Sequence, residues 1–279
     1  MVIGIVGLGL MGGSLALALR KNSQDELIIL GSDHNTGHVQ KALELGIIDS
    51  AADLDEIKRS AEVIILAIPV VGIKKVLREL EGVNGNCTII DLGSTKASII
   101  AATPEAIRKN LVAAHPMAGT EYSGPEAAFA TLYENKIVVL CNLEDSGKKQ
   151  QEKAREIFDT MKMKIVTMEA KAHDRHAAFI SHMPHVISYA IANSVLAQED
   201  KKSILTLAAG GFRDMSRLAK SPYTMWRDIF RENTPALMES FTIFEKELST
   251  ARRLIETEDW EGLSTWMKSA NTLHELFDA

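Results

Sequence analysis

Short apolar runs alternate with stretches of helical composition over the first 168 residues. The runs are rich in β-branched residues and nearly free of polar ones, which is typical of strands buried on both faces of a parallel sheet. Helices between such strands would cover the two faces of that sheet. The predicted strands are Val2–Val6 and residues 27–31, 63–68, 88–92, 111–114, 137–141 and 165–168.

The strand signal stops at about residue 170, and the rest of the chain has helical composition. Six apolar residues there recur at alternating spacings of four and three, the pattern of a narrow helical seam. They are Leu237, Phe241, Phe244, Leu248, Ala251 and Ile255. Packing within one subunit and packing against a second subunit both explain this seam. We predict an all-helical dimerisation domain over residues 169–279, and hence a homodimer.

The first predicted strand runs into a glycine-rich turn and then into a helix. The turn reads Gly7-Leu8-Gly9-Leu10-Met11-Gly12, which matches G-x-G-x-x-G in the required strand–turn–helix setting. The first glycine permits the tight turn, the second lets a pyrophosphate approach the backbone, and the third lets helix and strand pack closely. We therefore predict an α/β fold with a Rossmann-type, mostly parallel sheet over residues 1–168 and a pyrophosphate at the helix N-terminus.

Asp33 lies about 20 residues beyond the turn, at the end of the second predicted strand. A carboxylate there bonds the ribose hydroxyls and repels a 2′-phosphate, so NAD is favoured over NADP as the cofactor. The third strand ends in Ile68-Pro69, and the fourth is followed by Gly93-Ser94. Ligands of open α/β sheets lie beyond the carboxyl ends of the strands, so both segments should border the nicotinamide.

Two polar side chains follow neighbouring predicted strands, where a hydride would be transferred. His115 comes after residues 111–114, and Ser94 comes after residues 88–92. An imidazole with a pKa near ~6.5 can accept the hydroxyl proton of an alcohol as its hydride leaves. A serine can hydrogen-bond that hydroxyl. The same positions also fit structural roles, in which His115 ends a strand and Ser94 caps a helix.

Composition limits the class of partner more than the class of reaction. The chain has 279 residues and a net charge of −6, and its apolar runs are far shorter than the ~18 residues of a membrane span. This mild acidity gives no reason to expect nucleic acid or a membrane as a partner. Cys87 and Cys141 are far apart and make no disulfide framework, so the expected setting is the reducing cytoplasm.

Four motifs, taken in order, resemble the prephenate/arogenate dehydrogenase family of tyrosine biosynthesis. They are the glycine turn, Gly93-Ser94-Thr95-Lys96, the segment His115-Pro116-Met117-Ala118-Gly119-Thr120-Glu121 with Ser123-Gly124, and Gly210-Gly211-Phe212-Arg213-Asp214. The resemblance spans essentially the whole chain, and its His-Pro-x-x-Gly-Thr-Glu motif is specific. It implies that prephenate and NAD give 4-hydroxyphenylpyruvate, carbon dioxide and NADH.

The resemblance also implies roles for individual residues. His115 would take the proton of the ring hydroxyl, and Ser94 would orient that hydroxyl. Arg217 would pair with a substrate carboxylate, for which a guanidinium offers paired hydrogen bonds. Arg213 is its local competitor, and spacing alone does not choose between the two arginines or between the subunits that would supply one.

Other residues take substrate-binding roles by the same resemblance. Thr120 and Glu121 would border the mouth of the pocket, with Glu121 as a gate. Ser181 and His185 would lie by the substrate side chain, and His173 is a weaker candidate for the same place. The remaining positions implied to bind substrate are Gly210 and Trp226.

Four histidines close together in sequence raise the question of a metal site. They are His173, His176, His182 and His185. At ~100° per residue the first and third would lie on opposite faces of one helix, so these side chains would not converge on one ion. Pro184 would also kink this helix. The oxidation needs no metal, and we predict none.

Several alternative functions stay open. Arogenate carries an amino group where prephenate carries a keto group, and nothing local in the sequence rejects it. A 3-hydroxyacid dehydrogenase shares the glycine turn but usually employs a lysine base, so His115 argues against it. A non-catalytic dinucleotide sensor would not need Ser94, His115 and Arg217 together. Feedback inhibition by tyrosine is a hypothesis motivated by the family and by the similarity of tyrosine to the product.

Overall fold

The computed structural model describes residues 1–24, 26–120 and 122–276. The chain divides into two units, Met1–Asn233 and Thr234–Ala279. The first unit contains a sheet and the helices that accompany it, and the described residues of the second form two helices. The α/β fold followed by a helical region is therefore confirmed.

The described strands form one eight-stranded sheet in the order β3-β2-β1-β4-β5-β6-β7-β8. They are β1 (Val2–Val6), β2 (Ile28–Ser32), β3 (Ser50–Ala51), β4 (Val63–Leu66), β5 (Thr88–Asp91), β6 (Leu111–Pro116), β7 (Ile137–Cys141) and β8 (Lys164–Met168). Strands β6 and β7 run antiparallel, and the other neighbouring pairs within these residues run parallel. The mostly parallel sheet is thus confirmed, whereas the two-residue β3 has no apolar run that could have predicted it.

Strand β4 at the centre of the sheet is apolar at every position because both faces of the sheet are covered. In β4, Val63 and Ile65 belong to one hydrophobic cluster, and Ile64 and Leu66 belong to a second cluster on the opposite face. All four side chains are fully buried. Alternate residues of a strand point to opposite faces, so a strand between two cores needs apolar side chains throughout.

The carboxyl ends of four parallel strands lie in register along one edge of the sheet, level with Ala113 of β6. Val6 of β1 pairs with Ser32 of β2 and with Leu66 of β4. Leu66 pairs in turn with Asp91 of β5, and Asp91 pairs with Ala113 of β6. The segments that follow these residues therefore emerge side by side, at the edge where open α/β sheets bind ligands.

Helices connect the strands and continue after the last strand. Those of the first unit are α1 (Leu10–Asn22), α2 (Thr36–Glu44), α3 (Leu54–Ser60), α4 (Val70–Glu79), α5 (Ala97–Ala102), α6 (Lys148–Thr160), α7 (Ala170–Ala177), α8 (Met183–Leu196), α9 (Lys201–Thr206), α10 (Gly210–Ser216) and α11 (Tyr223–Glu232). A five-residue π-helix, Ala178–His182, joins α7 to α8. A short 3₁₀ helix, Arg217–Lys220, follows α10.

The second unit consists of α12 (Thr234–Glu256) and α13 (Trp260–Glu275). The indole N–H of Trp266 donates to Oε2 of Glu247 across 2.9 Å and joins the two helices. Several large apolar side chains of this unit are exposed, namely Met238, Ile243, Leu248, Ile255, Trp260, Met267, Leu273 and Leu276.

Among the described helices of the whole chain, none is both long and apolar enough to cross a membrane. Cys87 and Cys141 are free thiols in the interior.

Candidate active site

Two glycines of the turn occupy positions that no other residue could take without strain. Gly7 has a φ of +100°, and a Cβ built on it would lie 2.4 Å from the carbonyl oxygen of Ala67. A Cβ on Gly12 would lie 2.0 Å from the carbonyl oxygen of Gly7. The first glycine is therefore required by the turn that follows β1, and the third by the close approach of α1 to that turn.

Gly9 differs from these two glycines because nothing lies within 4 Å of a Cβ built on it. It immediately precedes α1, whose first-turn N–H groups have no partner within the helix. The side chains of Leu8 and Leu10 are buried in the core, and the carbonyl of Met11 accepts the Tyr133 hydroxyl. Backbone N–H groups beside an open space form a cradle that suits the pyrophosphate of a dinucleotide.

Asp33 is held in place by backbone groups on both sides. Its Oδ2 accepts the N–H of Leu8 across 2.8 Å, and its Oδ1 accepts the N–H of Asn35 across 2.8 Å. The imidazole Nδ1 atoms of His34 and His38 lie 3.2 and 3.4 Å from the carboxylate oxygens. Only 6% of the Asp33 side chain is exposed, so its charge has a fixed location next to the glycine turn.

The segment after β4 borders the same turn. Cγ2 of Ile68 would lie 2.7 Å from a Cβ on Gly7, so the Ile68 side chain packs against the turn. Pro69 is exposed and immediately precedes α4. The structure therefore brings Gly7, Asp33 and Ile68 to one end of the sheet, as their positions after β1, β2 and β4 require.

His115 lies inside β6, so the prediction that it follows the strand is wrong. The strand extends to Pro116 because His115 pairs with Val139 of the antiparallel β7, two residues past the last pair with β5. This non-local pairing could not be read from the apolar run alone. It fixes the backbone of His115, and the imidazole is half-buried.

A line of hydrogen bonds runs from His115 to α7. Nδ1 of His115 lies 2.8 Å from Nε2 of His173, and Nδ1 of His173 lies 2.9 Å from Oδ1 of Asp174. His173 and Asp174 are buried. Burial lowers the pKa of His115 well below its usual range, and the nearby His173, Lys96 and His182 lower it further.

A buried ion pair lies beneath this line. Nζ of Lys96 contacts Oδ1 of Asp91 and donates to the carbonyl oxygen of Ala114 across 2.6 Å. Both charged side chains are completely buried. Burial raises the pKa of Asp91, and the ammonium of Lys96 opposes that rise. The pair ties the end of β5 to β6 one residue before His115.

His115 lines a cavity of about 500 Å³. The other lining residues are Pro116, Met117, Ala118, Gly119, Thr120, Phe129, Thr131, Leu132, Lys136 and Ser181.

Ser94 is half-buried after β5, and no hydrogen bond joins it to His115 among the described residues. Thr120 is exposed, and its Oγ1 accepts the N–H of Tyr122 across 3.3 Å. Glu121, the predicted gate, lies outside the described residues.

The π-helix changes how the histidines after β8 are arranged. Nδ2 of Asn233 donates to the carbonyl of Asp174 across 2.7 Å and lies 3.1 Å from Nδ1 of His182. The Asn233 amide thus joins the backbone of α7 to the ring of His182, and the constant rotation of ~100° per residue assumed in the sequence analysis does not hold across the π-helix. The wider i→i+5 turn rotates later residues relative to an α-helix, and periodicity does not reveal it. Burial lowers the pKa of His182 to about 4.

His185 and Trp226 are stacked. Their ring centroids are 3.4 Å apart and their planes are inclined by 22°. Nδ1 of His185 donates to the carbonyl of Ser181 across 2.9 Å. Burial lowers the pKa of His185, and the charge of Arg217 lowers it further. Nε1 of Trp226 is buried and, among the described residues, has no hydrogen-bond partner.

The two candidate arginines differ in their surroundings. Arg217 is exposed at the start of the 3₁₀ helix and is close enough to His185 to act on its pKa. Nε of Arg213 instead donates to the carbonyl of Ala208 across 3.4 Å. Gly210 is exposed at the first position of α10. Arg217 thus acts on His185 of the His185–Trp226 stack, whereas the hydrogen bond given for Arg213 is to the nearby backbone.

Several residues of this site are assigned no function in the sequence analysis, where His182 appears only as a rejected metal ligand. They are Asp91, Lys96, Asp174, His182 and Asn233. A lysine inside the motif at 93–96 and an aspartate directly after a histidine were the available signals. Neither signal reveals burial or a partner distant in sequence. Within residues 1–24, 26–120 and 122–276, no three His, Cys, Asp or Glu side chains converge to hold a metal ion.

Comparison with known families gives two matches that together span most of the chain. The family described as prephenate dehydrogenase, nucleotide-binding domain, matches residues 15–167. The family described as prephenate dehydrogenase, dimerization domain, matches residues 169–269.

Individual proteins agree with these matches. Prephenate dehydrogenase of Bacillus subtilis is 35% identical over 273 residues, which are 95% of this chain and 73% of that protein. Prephenate dehydrogenase from A. aeolicus, crystallised with hydroxyphenyl propionate and NAD+, superposes with a TM-score of 0.93 at 31% identity, over 99% of this chain and 98% of that one. Synechocystis arogenate dehydrogenase superposes with a TM-score of 0.81 at 27% identity, over 99% of this chain and 100% of that one.

Proposed function

This chain belongs to the prephenate dehydrogenase family of NAD-dependent oxidoreductases, and we propose that it converts prephenate and NAD to 4-hydroxyphenylpyruvate, carbon dioxide and NADH in tyrosine biosynthesis. The observation that carries the proposal is the setting of His115. Its ring lines the cavity and is bonded through Nδ1 to His173, so Nε2 is the nitrogen left for a substrate. A neutral imidazole held at the carboxyl edge of a dinucleotide-binding sheet suits an alcohol oxidation.

NAD fits the residues at the turn. The open space over Gly9 admits a pyrophosphate, and Asp33 presents a fixed carboxylate to the ribose hydroxyls. When bound, NAD accepts the hydride. The residues we propose to hold it are Gly7, Leu8, Gly9, Leu10, Met11, Gly12, Asp33, Ile68 and Pro69. The A. aeolicus enzyme that shares this fold was crystallised with NAD+, which supports the assignment.

His115 supplies the proton chemistry in this proposal. Its Nε2 takes the proton of the hydroxyl on ring carbon C4 as that carbon loses hydride, and Ser94 orients the hydroxyl. The new ketone is conjugated with the ring carbon that bears the carboxylate. The bond to that carboxylate then breaks, its electrons pass to the oxygen, carbon dioxide leaves and the ring becomes aromatic. His115 returns the proton to the phenol oxygen. Because burial lowers the pKa of His115, the ring is neutral and able to accept a proton at pH 7.

The carboxylates of the substrate need donors, and the area around His185 offers them. Arg217 lies beside His185, and a guanidinium pairs with a carboxylate through two hydrogen bonds. Nε1 of Trp226, which has no hydrogen-bond partner within the described part of the chain, is a further donor. The substrate-binding set we propose is Thr120, Glu121, Ser181, His185, Gly210, Arg217 and Trp226. Of these, Glu121 and Gly210 rest on the resemblance alone.

The proposal is tested by measuring NADH formation with prephenate, using NAD and NADP in separate assays. We expect turnover with prephenate and NAD, and release of one carbon dioxide per NADH. His115→Asn should keep its affinity for NAD and lose at least ~100-fold in kcat. His176→Asn, an exposed histidine on α7, is the matched control and should retain full activity. Near-normal turnover by His115→Asn would reject His115 as the base.

Arogenate is the second candidate substrate, because the fold also matches an arogenate dehydrogenase over the whole chain. The same assay with arogenate decides the preference through the ratio of the two kcat/KM values. NAD binding without NADH formation from either substrate would instead indicate a non-catalytic dinucleotide sensor.

We also propose that residues 1–168 form the dinucleotide-binding domain and that residues 169–279 dimerise. The match to a dimerization domain and the exposed apolar side chains of α12 and α13 support a homodimer. Sedimentation equilibrium should give twice the monomer mass. Leu248→Glu on α12 should weaken the dimer, whereas Leu45→Glu, an exposed leucine of the first unit, should not. A monomer at all concentrations would reject the proposal. The cytoplasmic setting stays a prediction.

Tyrosine is proposed as a feedback inhibitor because it shares the hydroxyphenyl ring of the product. It would compete with prephenate for the cavity beside His115. A titration of the prephenate reaction with tyrosine should raise the apparent KM and leave kcat unchanged. An unchanged rate at every tyrosine concentration would reject the hypothesis.

A further inference from the structure

Three side chains form a continuous line that ends at the cavity. Asp174 contacts His173 across 2.9 Å, and His173 contacts His115 across 2.8 Å. The line joins α7, which follows the sheet in sequence, to β6 inside the sheet. Its two inner members are at least 95% buried, so water does not compete for these hydrogen bonds.

The direction of each hydrogen bond follows from the carboxylate at the far end. Oδ1 of Asp174 accepts the backbone N–H of Lys96 across 2.7 Å, and Oδ2 accepts that of Ala97 across 2.9 Å. A carboxylate only accepts, so Nδ1 of His173 carries the proton that bonds it. In a neutral His173 the other nitrogen, Nε2, is then an acceptor. Nδ1 of His115 must therefore donate, and Nε2 of His115 is left unprotonated.

We propose that His173 and Asp174 are positioning residues that hold His115 in the tautomer with a free Nε2, ready to take the proton of the substrate. The inference rests on the proposed function of His115. The bond that breaks is the substrate O–H, the bond that forms is H–Nε2, and no redox partner besides NAD is needed. A buried hydrogen-bond partner that fixes the orientation and tautomer of a histidine is known to serve general-base catalysis in this way.

The other charged groups around His115 do not replace this line. The ammonium of Lys96 repels an imidazolium, but it is paired with Asp91 and with the carbonyl of Ala114. His182 also acts on His115, and its Nδ1 contacts the amide nitrogen of Asn233. Among the described groups that act on or touch His115, His173 alone shares a hydrogen bond with its ring.

Asp174 also anchors the start of α5, so its removal would mix a structural effect with a catalytic one. His173 is the cleaner site for substitution. His173→Leu removes the acceptor for His115. His173→Gln places an amide oxygen near the former Nε2 and can restore that acceptor without carrying a positive charge. His176→Leu, an exposed histidine of the same helix, is the matched control.

The first experiment compares steady-state kinetics of the full-length variants with prephenate and NAD. We expect His173→Leu to lower kcat by about 100-fold with KM for both substrates within about threefold of wild type. His173→Gln should recover about tenfold of that loss, and His176→Leu should match wild type. In a His115→Asn background, His173→Leu should cause no further loss, because residues that act as a unit are not additive. An additive loss, or normal kcat in His173→Leu, would overturn the proposal.

The second measurement is independent of activity. Long-range ¹H–¹⁵N NMR spectra report the tautomer of each histidine, and we expect the proton of His115 on Nδ1 in the wild-type protein. Protonation on Nε2 would overturn the inference even if His173→Leu failed to fold. If wild type oxidises prephenate and His115→Asn does not, the proposed function stands whatever the kinetics of the His173 variants are. If wild type lacks activity, the proposed function fails while the NMR result still decides the tautomer.

Discussion

The backbone N–H of Leu8 donates to Oδ2 of Asp33 across 2.8 Å, so the glycine turn and the end of β2 are held together by the same carboxylate that we assign to the ribose. Asp33→Asn keeps an oxygen acceptor for the N–H of Leu8 and removes the charge. Asp33→Ser removes the charge, and its shorter side chain no longer reaches that N–H. We expect both variants to lose affinity for NAD by about tenfold or more, because a hydrogen bond to a charged group contributes about 1.5–3 kcal/mol.

The ratio of NADP to NAD affinity should rise in both Asp33 variants, since a 2′-phosphate no longer meets a carboxylate. Isothermal titration calorimetry with each cofactor measures the two affinities. Thermal unfolding shows whether a variant has lost the hydrogen bond that holds the turn or only the charge of residue 33. A larger loss of stability in Asp33→Ser than in Asp33→Asn would identify the contribution of the bond to Leu8. Unchanged NAD affinity in both variants would remove Asp33 from the cofactor site.

The three glycines of the turn should respond differently to alanine. Gly12→Ala places a methyl group 2.0 Å from the carbonyl oxygen of Gly7, so the helix must shift and the free energy of unfolding should fall by about 1–3 kcal/mol. Gly9→Ala meets no protein atom within 4 Å and should leave stability nearly unchanged while weakening NAD binding. Gly85→Ala is the control, because it also meets nothing and lies away from the turn. Equal NAD affinity for Gly9→Ala and wild type would contradict the cradle assignment.

The apolar pattern of the sequence was sufficient to predict the sheet, but it did not reveal the buried residues that support the candidate active site. Every strand of the first half except β3 was predicted, because a strand between two cores must be apolar throughout. The extension of β6 through His115 depends on antiparallel pairing with β7, which is remote in sequence. The local run of residues carries no information about that pairing, so the predicted strand ended at residue 114.

The histidine arrangement could not be predicted for a related reason. A helical wheel assumes a constant rotation per residue, and the π-helix Ala178–His182 breaks that assumption between His173 and His182. The partners Asp91 and Lys96 lie five residues apart on a strand and a loop, where no periodicity relates them. In contrast, the glycine turn and Asp33 could be placed because strand–turn–helix geometry is local and its spacing is regular.

Breaking the buried pair of Lys96 and Asp91 should destabilise the fold. Removing one charge leaves the other buried without a partner, which typically costs about 3–5 kcal/mol. We therefore expect Lys96→Met and Asp91→Asn each to lower the free energy of unfolding by about that amount in urea titrations. The double variant should be more stable than the Lys96→Met single variant, since no unpaired charge remains. Additive losses in the double variant would show that the two side chains are not coupled.

Acid should destabilise the protein partly through His182. Its side chain is 1% exposed, and burial lowers its pKa to about 4, compared with about 6.5 in the unfolded chain. Between these values the unfolded state binds a proton that the folded state does not, so stability falls as pH decreases from about 6.5 to about 4. The full effect of this shift on the free energy of unfolding is about 3 kcal/mol.

The variant His182→Asn tests this effect. It retains an oxygen that can accept from Asn233, and it should reduce the slope of stability against pH by close to one proton. His176→Asn, whose ring is exposed in the folded state, should leave the slope unchanged. Urea titrations at several pH values between about 4 and about 6.5 measure the slope. Equal slopes for wild type and His182→Asn would contradict the prediction, because they would show that His182 binds its proton as readily in the folded protein as in the unfolded chain.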